Sequence, residues 1–171
     1  GLIKGQIHSD IFMGGIVRRD ANIRTNSRMI HIFAMLPPEG GQALLITDAA
    51  VNVSPSVETR VDAALQTAEM ARKLGVERPR IAILSATEAL SKAIPSSIEA
   101  EQIAQLARNV DKKADYAGPL SLDLALSPKS VISKGIAEES LLGIVAGKAD
   151  AVVVPDLVSG NVLFKSLVYF A

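Results

Sequence analysis

Short apolar runs alternate along the chain with longer segments in which apolar residues recur every three or four positions. The runs at 29–36 and 43–47 are typical of strands, those at 80–84 and 151–154 of buried strands, and 114–116 is a shorter strand candidate. Because the run at 151–154 is mostly valine without polar alternation, it is typical of a parallel strand buried on both faces. Strands that alternate with helices predict an α/β layered fold.

The first two predicted strands lie close together in the chain. The first ends at Pro37-Pro38, and Glu39-Gly40-Gly41 separates it from the second. Because proline and glycine in so short a connection favour a turn, we expect the two strands to pair in an antiparallel, hairpin-like arrangement.

The clearest helical pattern runs from about Pro55 to Leu74. Ser54 is expected to cap its start, with Pro55 in the first turn, and Gly75 is expected to end it. Its apolar residues have the spacing of one helix face and predict the side that packs on the sheet. These residues are Val57, Val61, Ala64, Leu65, Ala68 and Ala71.

A second helical pattern covers 96–110. Ser96 and Glu99 have the spacing of a capping box, which predicts the start of this helix. Its inner face is expected to consist of Ile103, Leu106, Ala107 and Val110.

The remaining segments give weaker patterns. A helix is expected from Asp10 to about Arg19, capped by Ser9. Gly118-Pro119 is expected to break the strand that begins at Ala114, and a short helix over 120–126 follows. The segment 127–148 has scattered glycines and is expected to be partly loop.

The C-terminal stretch AVVVPDLVSGNVLFKSLVYFA reads as a strand, a turn and the start of a helix. In open α/β sheets ligands collect at such places, because the first N–H groups of a helix are free and its dipole is positive there. The helix after Ser159 is apolar on nearly every side and runs uncapped to Ala171. We therefore expect the chain to be a fragment of a longer protein.

Composition and charge narrow the classes of protein. Of 171 residues, 49% are hydrophobic and 21% charged, which is typical of compact globular proteins. The 18 basic residues balance the 18 acidic ones, without the basic excess usual in nucleic-acid binders. Without cysteine the chain has neither disulfides nor a cysteine nucleophile, and we expect a cytoplasmic location. No apolar run approaches the roughly 20 residues of a membrane span.

Several polar residues have both a structural and a functional interpretation. With only His8 and His31 and no cysteine, the chain has no zinc signature. His31 lies among strand residues, which favours a core or interface role over a catalytic one. Asp48 and Asn52 follow a strand. Asp and Asn at such positions stabilise a turn or helix cap about as often as they take part in chemistry. Lys165 has two equally favoured interpretations. Its side chain either reaches out of an apolar helix to solvent or contacts a ligand.

A set of stretches, in order along the chain, resembles the phosphate acetyl/butyryltransferase family. Each stretch alone is weak, but the ordered set is specific and spans the whole chain. The stretches are LIKG at 2–5, NIRT at 22–25, TDAAVNVSP at 47–55, GPLSLDLALS at 118–127, KGI at 134–136, VAGKADAVVVPD at 145–156 and SGNVLFKSLVYFA at 159–171.

The resemblance is stronger to the butyryl branch, because NIRT and GNVLFKSL match that branch better than the acetyl one. The chain departs from the family pattern at three places. A Ser-His pair of the butyryl branch is Ile30-His31, an acidic residue before Gly-Pro-Leu is Ala117, and an arginine of the acetyl enzymes is Met13. These departures bear on the preferred acyl chain and on activity.

The resemblance implies a fold and an assembly. Family members have two α/β domains like those of isocitrate and isopropylmalate dehydrogenases, three-layer folds with helices on both faces of the sheet. The site lies in the cleft between the domains, and the enzymes are usually homodimers. Residues 1–24 would be the tail of the discontinuous first domain and 25–171 most of the second. The family's Ser-Arg pair and, in the acetyl enzymes, an acidic residue proposed as the base would follow Ala171, where the catalytic residues are expected.

The resemblance also implies an activity, the reversible transfer of an acetyl, propionyl or butyryl group between coenzyme A and inorganic phosphate. Coenzyme A is then a substrate that brings its own thiol, and neither a tightly bound cofactor nor a metal is expected. The residues expected to contact phosphate or coenzyme A are Lys4, Arg24, Thr25, Asn161 and Lys165.

Two alternatives stay open. One is a metal-dependent dehydrogenase of the same fold, which would need a cluster of acidic ligands, whereas Asp48, Asp123 and Asp156 are isolated in the sequence. The other is a non-catalytic acyl-CoA-binding or assembly module of a larger protein, because a fold alone does not fix a function.

Overall fold

The computed structural model describes residues 3–22, 25 and 27–170. The strands are β1 (Ile32–Met35), β2 (Leu44–Thr47), β3 (Arg80–Leu84), β4 (Asp115–Leu120) and β5 (Ala151–Val153). The α-helices are α1 (Ser9–Ile16), α2 (Val57–Lys73), α3 (Pro95–Val110), α4 (Leu122–Leu126), α5 (Pro128–Ser133) and α6 (Leu157–Phe170), and a short 3-10 helix spans Arg19–Ala21.

The strands form one five-stranded sheet in the order β1-β2-β5-β3-β4. β1 pairs antiparallel with β2, which confirms the hairpin-like connection, and the other neighbours are parallel. The two strands predicted to be buried, β3 and β5, lie at the centre. Val152 and Val153 are both 0% exposed although they point to opposite faces, as expected for a parallel strand covered on both sides.

Helices cover both faces of the sheet, so the chain forms three layers. On one face, α2 and α3 pack small residues such as Ala64, Ala68 and Ala104 against Ile81 and Ile83. On the other face, residues of α4, α5 and α6 surround a second apolar cluster, which includes Ile46, Ala82, Leu124, Val131, Val152 and Leu163. The predicted α/β layering is confirmed.

The order of the strands creates a place where connections diverge. The chain leaves β2 toward α2 on one face, whereas it leaves the adjacent β5 toward α6 on the other. In open α/β sheets, a crevice forms where neighbouring strands send their chains to opposite faces, and ligands bind there. The carboxyl edge between β2 and β5 is therefore the first place to look for a site.

The predicted N-caps of α2 and α3 were wrong. Ser56, not Ser54, caps α2 and accepts a hydrogen bond from the backbone N–H of Thr59 at 3.2 Å. α3 begins at Pro95, without a side-chain cap, because Ser96 already belongs to its first turn. Glu99 does not complete a capping box, since its carboxylate pairs with the guanidinium of Arg60 on α2.

The predicted break at Gly118-Pro119 was also wrong. β4 continues through both residues to Leu120. β4 is an edge strand, where the missing N–H of a proline is tolerated. A side chain at Gly118 would come within 2.8 Å of the Cβ of Ile83, so glycine is needed for the close approach of β4 to β3.

Other boundaries differ by a turn or less, and some faces are more open than predicted. α1 begins at Ser9, which is itself helical rather than a cap, and ends at Ile16. On α3, Leu106 is 40% and Val110 69% exposed, because Ala100 and Ala104 face the sheet instead. The segment 127–148 holds α5 followed by turns. Within the described ranges, no helix is long and apolar enough to cross a membrane.

Candidate functional site

The buried carboxylate of Asp48 organises the loop that follows β2. Its Oδ1 accepts hydrogen bonds from the backbone N–H groups of Ala50 and Val51 at 2.9 and 3.0 Å. Its Oδ2 accepts one from the side-chain amide of Asn52 at 2.6 Å. Asn52 also donates to the carbonyl of Met29 at 3.1 Å. Because both carboxylate oxygens of Asp48 are occupied, the structural interpretation of Asp48 and Asn52 is the one supported.

The start of α6 packs directly against this loop. A side chain at Gly160 would lie 2.8 Å from the Cβ of Ala49 and 2.8 Å from Cγ2 of Val154, so only glycine permits this approach. The next residue, Asn161, donates its side-chain amide to the carbonyl of Ala49 at 3.5 Å. The predicted site residue Asn161 therefore lies in the crevice between the β2 and β5 connections.

Asp156 caps α6 from the turn after β5. Its Oδ1 accepts a hydrogen bond from the backbone N–H of Ser159 at 2.9 Å. This backbone hydrogen bond lowers the pKa of Asp156, and it outweighs partial burial, which acts in the opposite direction. The carboxylate is therefore held in its charged form at the positive end of the helix dipole.

Lys165 lies on α6 one turn beyond Asn161, and its side chain is exposed. Residues four apart share a helix face, so the two predicted site residues can reach a common ligand. Between them, Phe164 stacks flat on Phe33 of β1, with ring centroids 3.7 Å apart. The stack fixes the rotation of α6 and hence the direction of this face.

The other predicted site residues lie in the N-terminal part of the chain. Lys4 is exposed beside Gln6, Ile7 and His8 in an open depression. The hydroxyl of Thr25 accepts a hydrogen bond from the backbone N–H of Ser27 at 3.2 Å. Neither makes a hydrogen bond or ion pair with Asn161 or Lys165 in the described part of the chain, and Arg24 lies outside the described residues.

Two residues at the carboxyl edge were not predicted as site residues. His31 directly precedes β1, and its buried Nδ1 has no hydrogen-bond partner among the described residues. Arg60 in the first turns of α2 is 3% exposed, and its Nε and Nη1 likewise lack partners there. A strand histidine and a helix arginine resemble ordinary structural residues in sequence, so no pattern distinguished them.

An apolar pocket of about 150 Å³ lies at the opposite edge of the sheet. None of the predicted site residues lines it. Its apolar wall consists of Leu36, Ala43, Leu45, Ala71, Leu74 and Val76. We place the candidate site at the carboxyl edge instead, because the crevice, the capped start of α6 and the predicted site residue Asn161 coincide there. Within the described residues, no three acidic or histidine side chains are grouped as a metal site.

Comparisons with known proteins all lead to one family. The family model described as "Phosphate acetyl/butaryl transferase" matches residues 3–171. The chain is 37% identical to a phosphate acetyltransferase of Rhizobium meliloti and 30% identical to a phosphate butyryltransferase of Clostridium acetobutylicum, in each case over 98% of its length. It covers 52% and 54% of these proteins, so it spans about half the length of the relatives it matches.

The fold is also similar to a solved structure, that of a branched-chain phosphotransacylase from Enterococcus faecalis V583. The TM-score is 0.84 and the identity 33%, over 97% of this chain and 58% of that one. Overall identity does not single out the butyryl branch that NIRT and GNVLFKSL favour, since the acetyltransferase named above is the more similar of the two relatives. The preferred acyl group therefore stays a prediction.

Proposed function

Because the chain belongs to the phosphate acetyl/butyryl transferase family, we propose that it forms part of an enzyme that moves an acyl group between coenzyme A and inorganic phosphate. The reaction is acyl-CoA + phosphate = acyl phosphate + CoA, with an acetyl, propionyl or butyryl group. The observation that carries the proposal is the family match over 3–171, which includes the stretch from Ser159 at the carboxyl edge.

The reaction needs positioning and charge more than a protein nucleophile. A phosphate oxygen attacks the thioester carbonyl, the carbonyl oxygen becomes an oxyanion, and the collapse of this intermediate releases the thiolate of coenzyme A, which then takes up a proton. Lys165 would contribute a cation and Asn161 a hydrogen-bond donor near the anionic substrates. Lys4 and Arg24 would contribute further cations beside the cleft, and Thr25 a further hydrogen bond.

The proposed enzyme has a second half. Residues 1–24 would end a first domain and 25–171 would form most of a second, in an arrangement like isocitrate and isopropylmalate dehydrogenases. Exposed apolar residues near the N-terminus support this, since Ile3 is 97% and Ile11 59% exposed. A Ser-Arg pair and an acidic base would come from residues beyond Ala171. We further propose a cytoplasmic homodimer.

The proposal is tested by phosphate-dependent thiol release from acetyl-, propionyl- and butyryl-CoA. The full-length protein that carries this sequence should turn over at least one of them, and the 171-residue chain alone none. Loss of a positioned base typically lowers a rate about 10²–10⁴-fold, and loss of the facing domain removes positioning as well. Binding of acyl-CoA without turnover by the full-length protein would favour the non-catalytic module instead.

The role of Arg24 has its own test in the full-length protein. Arg24→Ala should raise the KM for phosphate or lower kcat several-fold, because a cation that contacts phosphate is lost. Arg78→Ala is the matched control, since Arg78 pairs with Asp115 beside the opposite edge of the sheet. Wild-type kinetics for Arg24→Ala would remove this residue from the site.

A further inference from the structure

The half-buried side chain of His31 lies at the carboxyl edge of the sheet, where its backbone is held on both sides. Its N–H lies 3.5 Å from Oδ2 of Asp48, and its carbonyl accepts a hydrogen bond from the hydroxyl of Thr47 at 2.9 Å. Because β1 is antiparallel to β2 and Ile32 lies opposite Thr47, the residue before Ile32 is beside the loop after β2. The position of His31 is therefore set by the same loop that receives the start of α6.

The imidazole is the first of three rings in contact. It lies edge-on to Phe33 at a centroid distance of 4.3 Å and an angle of 61°, and Phe33 is stacked on Phe164 at 3.7 Å and 9°. Phe164 is three residues after Asn161 and shares its face of α6. The row of rings therefore connects the start of β1 with the helix that carries Asn161 and Lys165.

The unpaired nitrogen of His31 indicates which tautomer is present. Nδ1 is buried and has no partner among the described residues, whereas Nε2 is not one of the buried unpaired atoms there. In a neutral imidazole one nitrogen carries the hydrogen and the other a lone pair. A hydrogen on Nδ1 would leave a buried N–H unpaired, which is rarer in proteins than an unpaired acceptor. The hydrogen therefore belongs on Nε2, which is then a donor.

We propose that His31, Phe33 and Phe164 form the subsite for the acyl group, in which Nε2–H of His31 donates to the carbonyl oxygen and the alkyl chain lies against the two phenylalanine rings. An acyl group has one hydrogen-bond acceptor beside an apolar chain, and this row offers one donor beside an apolar surface. A phosphate group would need several donors or cations. The inference rests on the function proposed above.

Two substitutions of His31 in the full-length protein test the donor. The amide nitrogen of glutamine can take the place of Nε2, whereas that of asparagine reaches only as far as Nδ1. We expect His31→Asn to lower kcat/KM for acyl-CoA about tenfold, and His31→Gln to stay within about threefold of the wild type, as for loss or retention of one hydrogen bond. Equal losses in the two variants would overturn the role of Nε2.

The apolar part of the subsite is tested by the dependence on chain length. Each methylene that lies on an apolar surface contributes about fourfold, so Phe164→Ala should lower the ratio of kcat/KM for butyryl-CoA to that for acetyl-CoA roughly tenfold. Phe164→Leu, which is milder for folding, should lower it less. Tyr169→Ala is the matched control, because Tyr169 is an aromatic residue of the same helix and 78% exposed. An unchanged ratio in both Phe164 variants would overturn the subsite.

A measurement without turnover separates this inference from the proposed activity. In protein with ¹⁵N-labelled histidine, free His31 should show a protonated Nε2 and a bare Nδ1, and butyryl-CoA should shift the Nε2 resonance but not that of exposed His8. If the wild type catalyses no phosphate-dependent thiol release, the proposed function fails, whatever this spectrum shows. If the wild type is active but the spectrum places the hydrogen on Nδ1, or butyryl-CoA leaves Nε2 unshifted, the acyl subsite fails alone.

Discussion

Helices α2 and α6 both begin at the carboxyl edge of the sheet, but they are buried to very different extents. α2 has eight buried residues, which include the alanine stripe Ala63, Ala64, Ala68 and Ala71. α6 has one, Gly160. On its outer side, Val158 and Val162 are 67% and 60% exposed, although a surface helix normally presents polar residues there.

The difference separates the part of the chain that supplies stability from the part that supplies the site. Alanine side chains let α2 approach the sheet closely along its whole length, so that face is completed by the chain itself. α6 is fixed mainly through its first two turns, by the Asp156 cap, the Gly160 contact and the Phe164 stack. The same two turns carry Asn161. Contacts at the start of α6 therefore determine site geometry more than global stability.

The largest effect is expected from a charge in the strand between the two layers. Val153 is 0% exposed and lies between Thr47 and Ile83 of the neighbouring strands. Val153→Asp should abolish folding, because a lone buried carboxylate costs several kcal/mol, comparable with the whole stability of a domain. Circular dichroism and urea unfolding would show this. Val162→Asp on α6 is the matched control and should fold; a cooperative, soluble Val153→Asp protein would contradict the layer assignment.

The next effect concerns the ion pair that joins α2 to α3. The side chain of Arg60 is 3% exposed, whereas that of its partner Glu99 is 45% exposed. Glu99→Gln leaves a buried cation without its counterion and should lower the free energy of unfolding by about 3 kcal/mol. Arg60→Met added to it should recover much of the loss, since neither charge then remains.

The surface pair of Lys73 and Glu69 on the same α2 helix is the control for that experiment. The two side chains are 68% and 59% exposed. Glu69→Gln should leave the free energy of unfolding nearly unchanged, because ion pairs between exposed side chains contribute little. A similarly small effect of Glu99→Gln would mean that Glu99 does not hold the Arg60 guanidinium in place. The ion pair would then not contribute to the greater stability that we ascribe to α2 relative to α6.

Much of the fold could be predicted from the sequence where a single local pattern decides. The valine run of β5 is β-branched and has no polar alternation, which predicts a buried strand. Gly75 ends α2 with φ of +97°, a conformation that glycine adopts freely. The family resemblance, carried by ordered stretches along the chain, is confirmed by the match over 3–171. These elements could be predicted because the residues that determine them lie within the same short stretch of sequence.

Other features could not be predicted because their cause lies elsewhere in the chain. Glu99 has capping-box spacing, but Arg60, 39 positions away, takes its carboxylate. Pro119 looks like a strand breaker unless β4 is known to be an edge strand. His31 contacts Phe33, and Phe33 in turn contacts Phe164. These rings come together only because α6 packs on the face of the sheet to which Phe33 of β1 points. Tertiary contacts therefore override local propensity most often at the carboxyl edge.

A smaller effect is expected where α6 touches the loop after β2. In Gly160→Ala the new Cβ would lie 3.0 Å from the Cα of Ala49, and backbone cannot easily move away. Overpacking costs about 1–3 kcal/mol, while alanine in a helix regains up to about 1 kcal/mol, so we expect a net loss of about 1–2 kcal/mol. Urea unfolding measures it. Gly14→Ala on α1 is the control, because nothing lies within 4 Å of that Cβ. A neutral Gly160→Ala would mean that α6 is not seated on this loop.

The smallest effect separates the charge of the α6 cap from its hydrogen bond. Asp156→Ala removes both and should lower the free energy of unfolding by about 1 kcal/mol at pH 7, whereas Asp156→Asn keeps an accepting oxygen and should lose only a few tenths.

The hydrogen bond from the Ser159 backbone lowers the pKa of Asp156 in the folded chain. A lowered folded pKa contributes stability that is complete above the unfolded value, near 3.9, and is lost as the pH falls below it toward the folded pKa. The difference between the wild type and Asp156→Asn should therefore shrink between pH 5 and pH 3. Urea unfolding at these two values measures it, and a difference that stays constant would mean that the cap works through its hydrogen bond alone.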